Sequence, residues 1–191
     1  MSTSVLRPAA SLMIAFTLLL GVGYPLAITG IARLAFPVQA AGSLERADGR
    51  IVGSRLIGQA FSDPKYFWGR PSATTPKPYN GTGSTGSNLG PLNPALLDQV
   101  KANIQSLRDA DPGNTQPIPV DLVSASASGL DPEISVAAAF YQVPRIARTR
   151  GLGIAQVEAL VRAHQQGSLL GFVGEPRVNV LELNLALNHA R

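Results

Sequence analysis

The residues of this chain that could do acid–base, nucleophilic or metal chemistry are few and scattered. Histidine occurs twice, at His164 and His189, and cysteine is absent, which excludes disulfides and thiol chemistry. His164 falls near the end of a helical stretch, where an imidazole complements the helix dipole, and His189 lies in the tail. Asp63, Asp131, Glu133 and Glu175 each stand beside or near a proline, in turn or cap positions. They do not form a carboxylate pair that could divide acid and base roles. Nor does any His/Asp/Glu set have metal-ligand spacing, so neither a catalytic nor a metal site is expected.

Gly81-Thr82-Gly83-Ser84-Thr85-Gly86 matches the dinucleotide pattern GxGxxG. That pattern binds a pyrophosphate only between a strand and a helix N-terminus. Here Pro76 and Pro78 precede it and Asn88 to Pro91 follow it, so the match reads as chance within a Gly-rich loop. The sequence has no GxxxxGK[ST] phosphate loop. What remains is the segment 63–94, too rich in proline and glycine for a helix or a central strand. Loops of this length inside a domain tend to be functional or disordered, and Tyr66, Phe67, Trp68 and Tyr79 favour order. Trp68, Arg70, Tyr79 and Asn88 are residue types suited to protein interfaces and polar recognition. The aromatics could equally be satellite core beneath the loop, and both readings stay open.

The element that must position this loop relative to a membrane is the uncharged run Leu12 to Ile31. Twenty helical residues reach about 30 Å, the thickness of a bilayer's hydrocarbon core. The chain is therefore read as an N-terminal tail over 1–11, a membrane helix over 12–36 and a globular domain over 42–191. Gly21, Gly23 and Pro25 lie within the span, where they could bend it or admit a partner helix. The rival reading is a signal peptide cleaved after Val38-Gln39-Ala40, for which the apolar run is too long. Flanking charge does not settle orientation: Arg7 precedes the span, and Arg46, Arg50 and Arg55 follow it. Beyond residue 42 the charges nearly balance and the basic residues are scattered, which excludes a nucleic-acid face.

Within the domain, 50–57 reads as a strand. Helix is predicted over 94–108, capped by Asn93 with Pro94 in the first turn. A short strand follows at 120–124. A second helix is predicted from an Asp131 cap to about Gln142, broken or kinked by Pro144, with a short helical piece over 145–150. A third is predicted over 154–166, and the segment 177–187 reads as a mostly buried strand. The fold class is α/β (α+β-like): one transmembrane helix, then a single small mixed domain of about three or four helices and a small sheet.

Tyr66-Phe67-Trp68-Gly69-Arg70-Pro71-Ser72, Tyr79-Asn80, Ser87-Asn88-Leu89-Gly90-Pro91 and Asn93 form a distinctive series. It continues through Asp131-Pro132-Glu133-Ile134-Ser135, Tyr141-Gln142-Val143, Arg145-Ile146-Ala147 and Gly174-Glu175-Pro176-Arg177-Val178-Asn179-Val180-Leu181. In this order, over nearly the whole chain, the motifs resemble the KdpC subunits of the bacterial potassium-transporting P-type ATPase. The resemblance implies an accessory subunit, not an enzyme by itself, in the bacterial inner membrane with its domain on the extracytoplasmic side. The implied partners are a channel-like potassium-binding subunit and an ATP-hydrolysing P-type subunit. Candidate partner-binding residues are Tyr66, Trp68, Arg70, Tyr79, Asn88 and Asn93. The family is described as a catalytic chaperone that raises ATP affinity of the hydrolysing subunit; no cofactor is expected to bind tightly, and the resemblance leaves ATP possible through the complex. The alternative is direct ATP contact by a regulatory domain. The family's Ser-Gly-Gly-Ser-Asn nucleotide pattern falls here on Ser84, Thr85, Gly86, Ser87 and Asn88. Thr85 replaces a glycine, which weakens that alternative.

Overall fold

The computed structural model describes residues 3–168 and 170–190. The chain divides into two compact units, one ending at Leu44 and the other beginning at Glu45.

The first unit is helical: α1 (Thr3–Leu18), a π-helical turn (Leu19–Gly23), α2 (Tyr24–Ala35) and the single-turn α3 (Pro37–Ala40). Leu12 lies in α1, Gly21 and Gly23 in the π turn, and Pro25 and Ile31 in α2. Pro25 has no N–H to offer the Gly21 carbonyl, and the wider turn ends at Gly23, two residues before it. Val5 to Ala35 is 31 helical residues long, and its most apolar 18-residue window has a mean hydropathy of 2.0 with none of it packed inside the fold. That length exceeds what a bilayer core requires, so this helix is a candidate membrane span.

The second unit is a mixed α/β domain. Among the described residues it holds two small sheets. One is the hairpin of β1 (Leu44–Ala47) and β2 (Arg50–Ser54). The other is three-stranded and antiparallel, in the order β3 (Glu133–Ser135), β5 (Arg177–Asn179), β4 (Gln165–Gln166). Four helices pack with them: α4 (Pro94–Ala110), α5 (Val136–Arg150), α6 (Ile154–Ala163) and α7 (Val180–His189).

Helix α5 is the centre of the core. Ala138, Ala139, Tyr141, Val143, Ile146 and Ala147 are buried along it, against Val157 and Val161 of α6 and Leu183 and Leu187 of α7. Its first turn is fixed by Ser135, whose hydroxyl accepts the Ala138 N–H at 3.0 Å. The Asp121 carboxylate in turn accepts the Ser135 N–H at 2.7 Å. The helix ends at Gly151 in the left-handed conformation, φ 67.

Several local expectations are corrected. The second helix opens at Val136 with Ser135 as cap; Asp131 instead makes a local turn, accepting the Glu133 N–H at 3.0 Å, ahead of strand β3. Pro144 does not end α5, which continues to Arg150 because the residues around the proline are core. Residues 120–122 form a 3₁₀ turn rather than a strand. The third helix stops at Ala163, and Gln165–Gln166 become strand β4. The strand predicted over 50–57 ends at Ser54 and is joined by β1 across Asp48 and Gly49, both with positive φ.

The largest correction is at the C-terminus, where only Arg177–Asn179 is strand and Val180–His189 is helix. Val180, Leu183, Asn184 and Leu187 recur at helical spacing on the buried face. Asn179 makes the switch. Its Oδ1 accepts the Glu182 N–H at 3.1 Å as the helix cap, and its Nδ2 donates to the Arg55 carbonyl at 2.8 Å.

Asn179→Ala removes both bonds at a site only 3 % exposed. It should lower the stability of the detergent-solubilised chain by about 1–3 kcal/mol. Asn179→Asp, which keeps the cap acceptor, should recover part of that loss in thermal unfolding.

Candidate functional site

The loop that the sequence singles out is held down by three polar side chains buried in the helices. Phe67 is the deepest residue of the loop, fully buried in the core. Its backbone N–H donates to Asn184 Oδ1 at 2.8 Å, and Asn184 Nδ2 donates back to the Phe67 carbonyl at 2.9 Å. Gln142 repeats the device one residue on. Its Oε1 accepts the Trp68 N–H at 2.8 Å, and its Nε2 donates to the Trp68 carbonyl at 3.1 Å. Each amide thus stands in for the neighbouring strand that this stretch of backbone lacks.

Arg145, three residues after Gln142 on α5, completes the clamp. It is 2 % exposed and donates to the Pro64 carbonyl, to the Tyr66 carbonyl at 3.1 Å and to Gln142 Oε1 at 2.6 Å. Its guanidinium also lies 4.6 Å from the Trp68 ring centre. Burial lowers its pKa to about 10, which leaves it a cation at neutral pH. One turn further, Arg150 donates to the Lys65 carbonyl at 2.8 Å and stacks 4.9 Å from the Tyr66 ring centre.

Beyond residue 69 two hydroxyls shape the loop. Ser72 Oγ donates to the Gly129 carbonyl at 2.7 Å and accepts the Tyr79 N–H at 2.9 Å. Thr74 Oγ1 donates to the Lys77 carbonyl at 2.8 Å and accepts the Asn80 N–H at 3.0 Å. The Tyr79 hydroxyl donates to the Arg70 carbonyl at 2.5 Å, while Arg70 pairs with Asp131 at 3.1 Å. A cleft of about 370 Å³ opens here, lined among others by Phe61, Trp68, Arg70, Tyr79 and Leu107.

Of the candidate residues, Tyr66, Trp68, Arg70 and Tyr79 therefore belong to one continuous construction. Asn88 and Asn93 do not. Asn88 is exposed in irregular backbone with φ 52, and Asn93 caps α4 by accepting the Ala95 N–H at 3.0 Å. In the Gly-rich stretch, the Ser84 hydroxyl and the Thr85 N–H both donate to the Ser128 carbonyl, each at 3.0 Å. Gly86 lies so close to the neighbouring chain that a Cβ there would stand 2.8 Å from the Ala127 carbonyl oxygen. Ser87 is half-buried beside it. Among the described residues no group of three or more His, Asp or Glu side chains is placed to hold a metal.

Sequence reasoning missed Gln142, Arg145 and Asn184 as a set. The available signal was an amide and a guanidinium three apart within the otherwise apolar stretch 136–147, and an asparagine inside a leucine run. Such polar residues at core positions imply buried partners.

The family described as "K+-transporting ATPase, c chain" (KdpC) matches residues 6–189. A potassium-transporting ATPase KdpC subunit from Variovorax paradoxus is 63% identical over 185 residues, covering 97% of this chain and 96% of that protein. One from Polaromonas naphthalenivorans is also 63% identical, with 97% and 94% coverage. One from Dechloromonas aromatica is 62% identical, with 97% of each chain covered.

Two expectations follow from the geometry. Arg145→Ala takes the guanidinium donor from the Tyr66 carbonyl and empties a buried side-chain volume, and should cost about 2–5 kcal/mol; Arg145→Lys, which cannot reproduce the fork, should recover little of it in chemical denaturation. Burial, followed by the Asp131 charge, pushes the Tyr79 phenol up to about 12. Its unfolded value is about 10, so the fold prefers the neutral hydroxyl. That contribution is intact below about pH 10 and is lost as the pH rises through about 12. Tyr79→Phe should flatten this alkaline loss in stability against pH.

Proposed function

The chain belongs to the KdpC family, the c chain of the K+-transporting ATPase, and on that premise we propose that it is the accessory, non-catalytic subunit of an ATP-driven potassium importer. Its N-terminal helix anchors it in the bacterial inner membrane as a single-pass protein, with the globular unit on the extracytoplasmic side. Its partners are the channel-like potassium-binding subunit and the P-type subunit that hydrolyses ATP.

The observation that supports an assembly role is the clamp on residues 64–68. Gln142, Arg145 and Asn184 hold a long loop in one conformation before any partner arrives, so its half-exposed Tyr66 and Trp68 need little further ordering on docking. We read Tyr66, Trp68, Arg70 and Tyr79 as the docking segment. Purification of the tagged full-length chain in mild detergent tests this: a polytopic subunit and a P-type ATPase should come with it. Recovery of the chain alone from membranes expressing the whole complex would contradict the reading.

The raised ATP affinity described for the family is then an effect transmitted through assembly. Direct contact by Ser84, Gly86, Ser87 and Asn88 is less favoured, because Ser84 and the Thr85 N–H are already bonded to Ser128 and Gly86 packs on Ala127. Gly86→Ala is a poor probe, since it disturbs the loop whether or not ATP binds there. The double variant Ser87→Ala, Asn88→Gly retains the positive φ at 88 and removes both polar side chains. In the assembled complex it should leave the KM for ATP within about twofold of the parent. A rise of tenfold or more, about 1.4 kcal/mol, would favour direct contact.

A further inference from the structure

Strands β4 and β5 pair antiparallel, Gln166 opposite Arg177, so residues 167–176 close a hairpin. Its distal stretch reads Gly167-Ser168-Leu169-Leu170-Gly171-Phe172-Val173-Gly174, without one charged residue. Leu170 is 77 % exposed, Phe172 79 % and Val173 46 %. Charge begins only at the base, with Glu175 and with Arg177 paired to Glu133 at 2.7 Å. The hairpin is thus apolar at its tip and ionic at its root.

We propose that this tip inserts into the interfacial layer of the bilayer that holds the chain's own N-terminal helix. The proposal rests on the membrane-anchor reading. Two observations favour lipid over a protein partner. Protein interfaces carry about one hydrogen bond per 100–200 Å², and the side chains of residues 170–174 offer no donor or acceptor. Second, the segment 36–43 between the candidate span and strand β1 has eight residues, four of them in the helical turn Pro37–Ala40. Fully extended it would reach only about 28 Å, so the domain stays within reach of the membrane surface and insertion of the tip is effectively intramolecular. A tip of Leu, Phe and Val gains from leaving water, while Glu175, Arg177 and Glu133 remain at the level of the headgroups.

The absence of cysteine makes the test direct. Phe172→Cys in the full-length chain takes a single nitroxide, with Ile28→Cys in the candidate span and Thr82→Cys on the exposed Gly-rich loop as references. All three are reconstituted in phosphatidylethanolamine/phosphatidylglycerol vesicles. Collision with oxygen is compared with collision with a water-soluble nickel chelate. The Phe172 label should favour oxygen at least fivefold more than the Thr82 label does, approaching the Ile28 value. If Ile28 reads as lipid and Phe172 matches Thr82, insertion is wrong and the anchor stands. If Ile28 itself reads as water, the anchor reading fails and insertion with it. Shielding of Phe172 from both reagents only after the other subunits are added would overturn insertion in favour of protein docking.

Discussion

A guanidinium cannot be buried unless its donors are satisfied, and Arg145 is 2 % exposed. Its own helix supplies only the Gln142 amide oxygen; the rest comes from the backbone carbonyls of Pro64 and Tyr66, some eighty positions earlier in the chain. Helix α5 and the loop therefore require each other. The loop has no ladder of its own for these backbone groups, and the helix has no other partners for its cation. Asn184 on α7 ties the same stretch to the C-terminal helix, so three segments distant in sequence close around residues 64–68.

That constraint explains where the polar residues of the domain are used. Ser72, Thr74, Tyr79 and Arg70 shape the next turn of the loop, and Asp121 and Ser135 set the start of α5. Of the candidate partner-binding residues, Tyr79 bonds to the Arg70 carbonyl and Arg70 pairs with Asp131, so both side chains shape the loop itself.

How much of this could be read from the sequence followed physical lines. The apolar N-terminal run, the cap at Asn93 and the mixed domain were legible because each depends on local periodicity or local capping. The C-terminal helix was not, because Val178, Val180, Leu183, Leu185 and Leu187, spread over two faces, imitate a mostly buried strand. The Asn179 cap and the 180, 183, 184, 187 spacing carried the opposite signal. Pro144 suggested a helix end, but burial of Val143, Ile146 and Ala147 on either side outweighs the lost backbone bond. Strand β1 was overlooked although Asp48-Gly49 is a strong hairpin signal. The clamp itself needed the fold, since Gln142, Arg145 and Asn184 acquire meaning only when residues 64–68 are brought to them.

The claim at the centre of this account is that residues 64–68 are as firmly held as the helices that grip them. Hydrogen exchange on the full-length chain tests it at two amides, Phe67 and Trp68. Both should be protected to nearly the same degree as Ile146 and Ala147 in α5, because the Asn184 and Gln142 bonds open only with the core. Exchange of Phe67 and Trp68 as fast as Thr82 on the exposed loop would show that the clamp does not hold, and that a preformed docking surface is not the basis of this subunit's function.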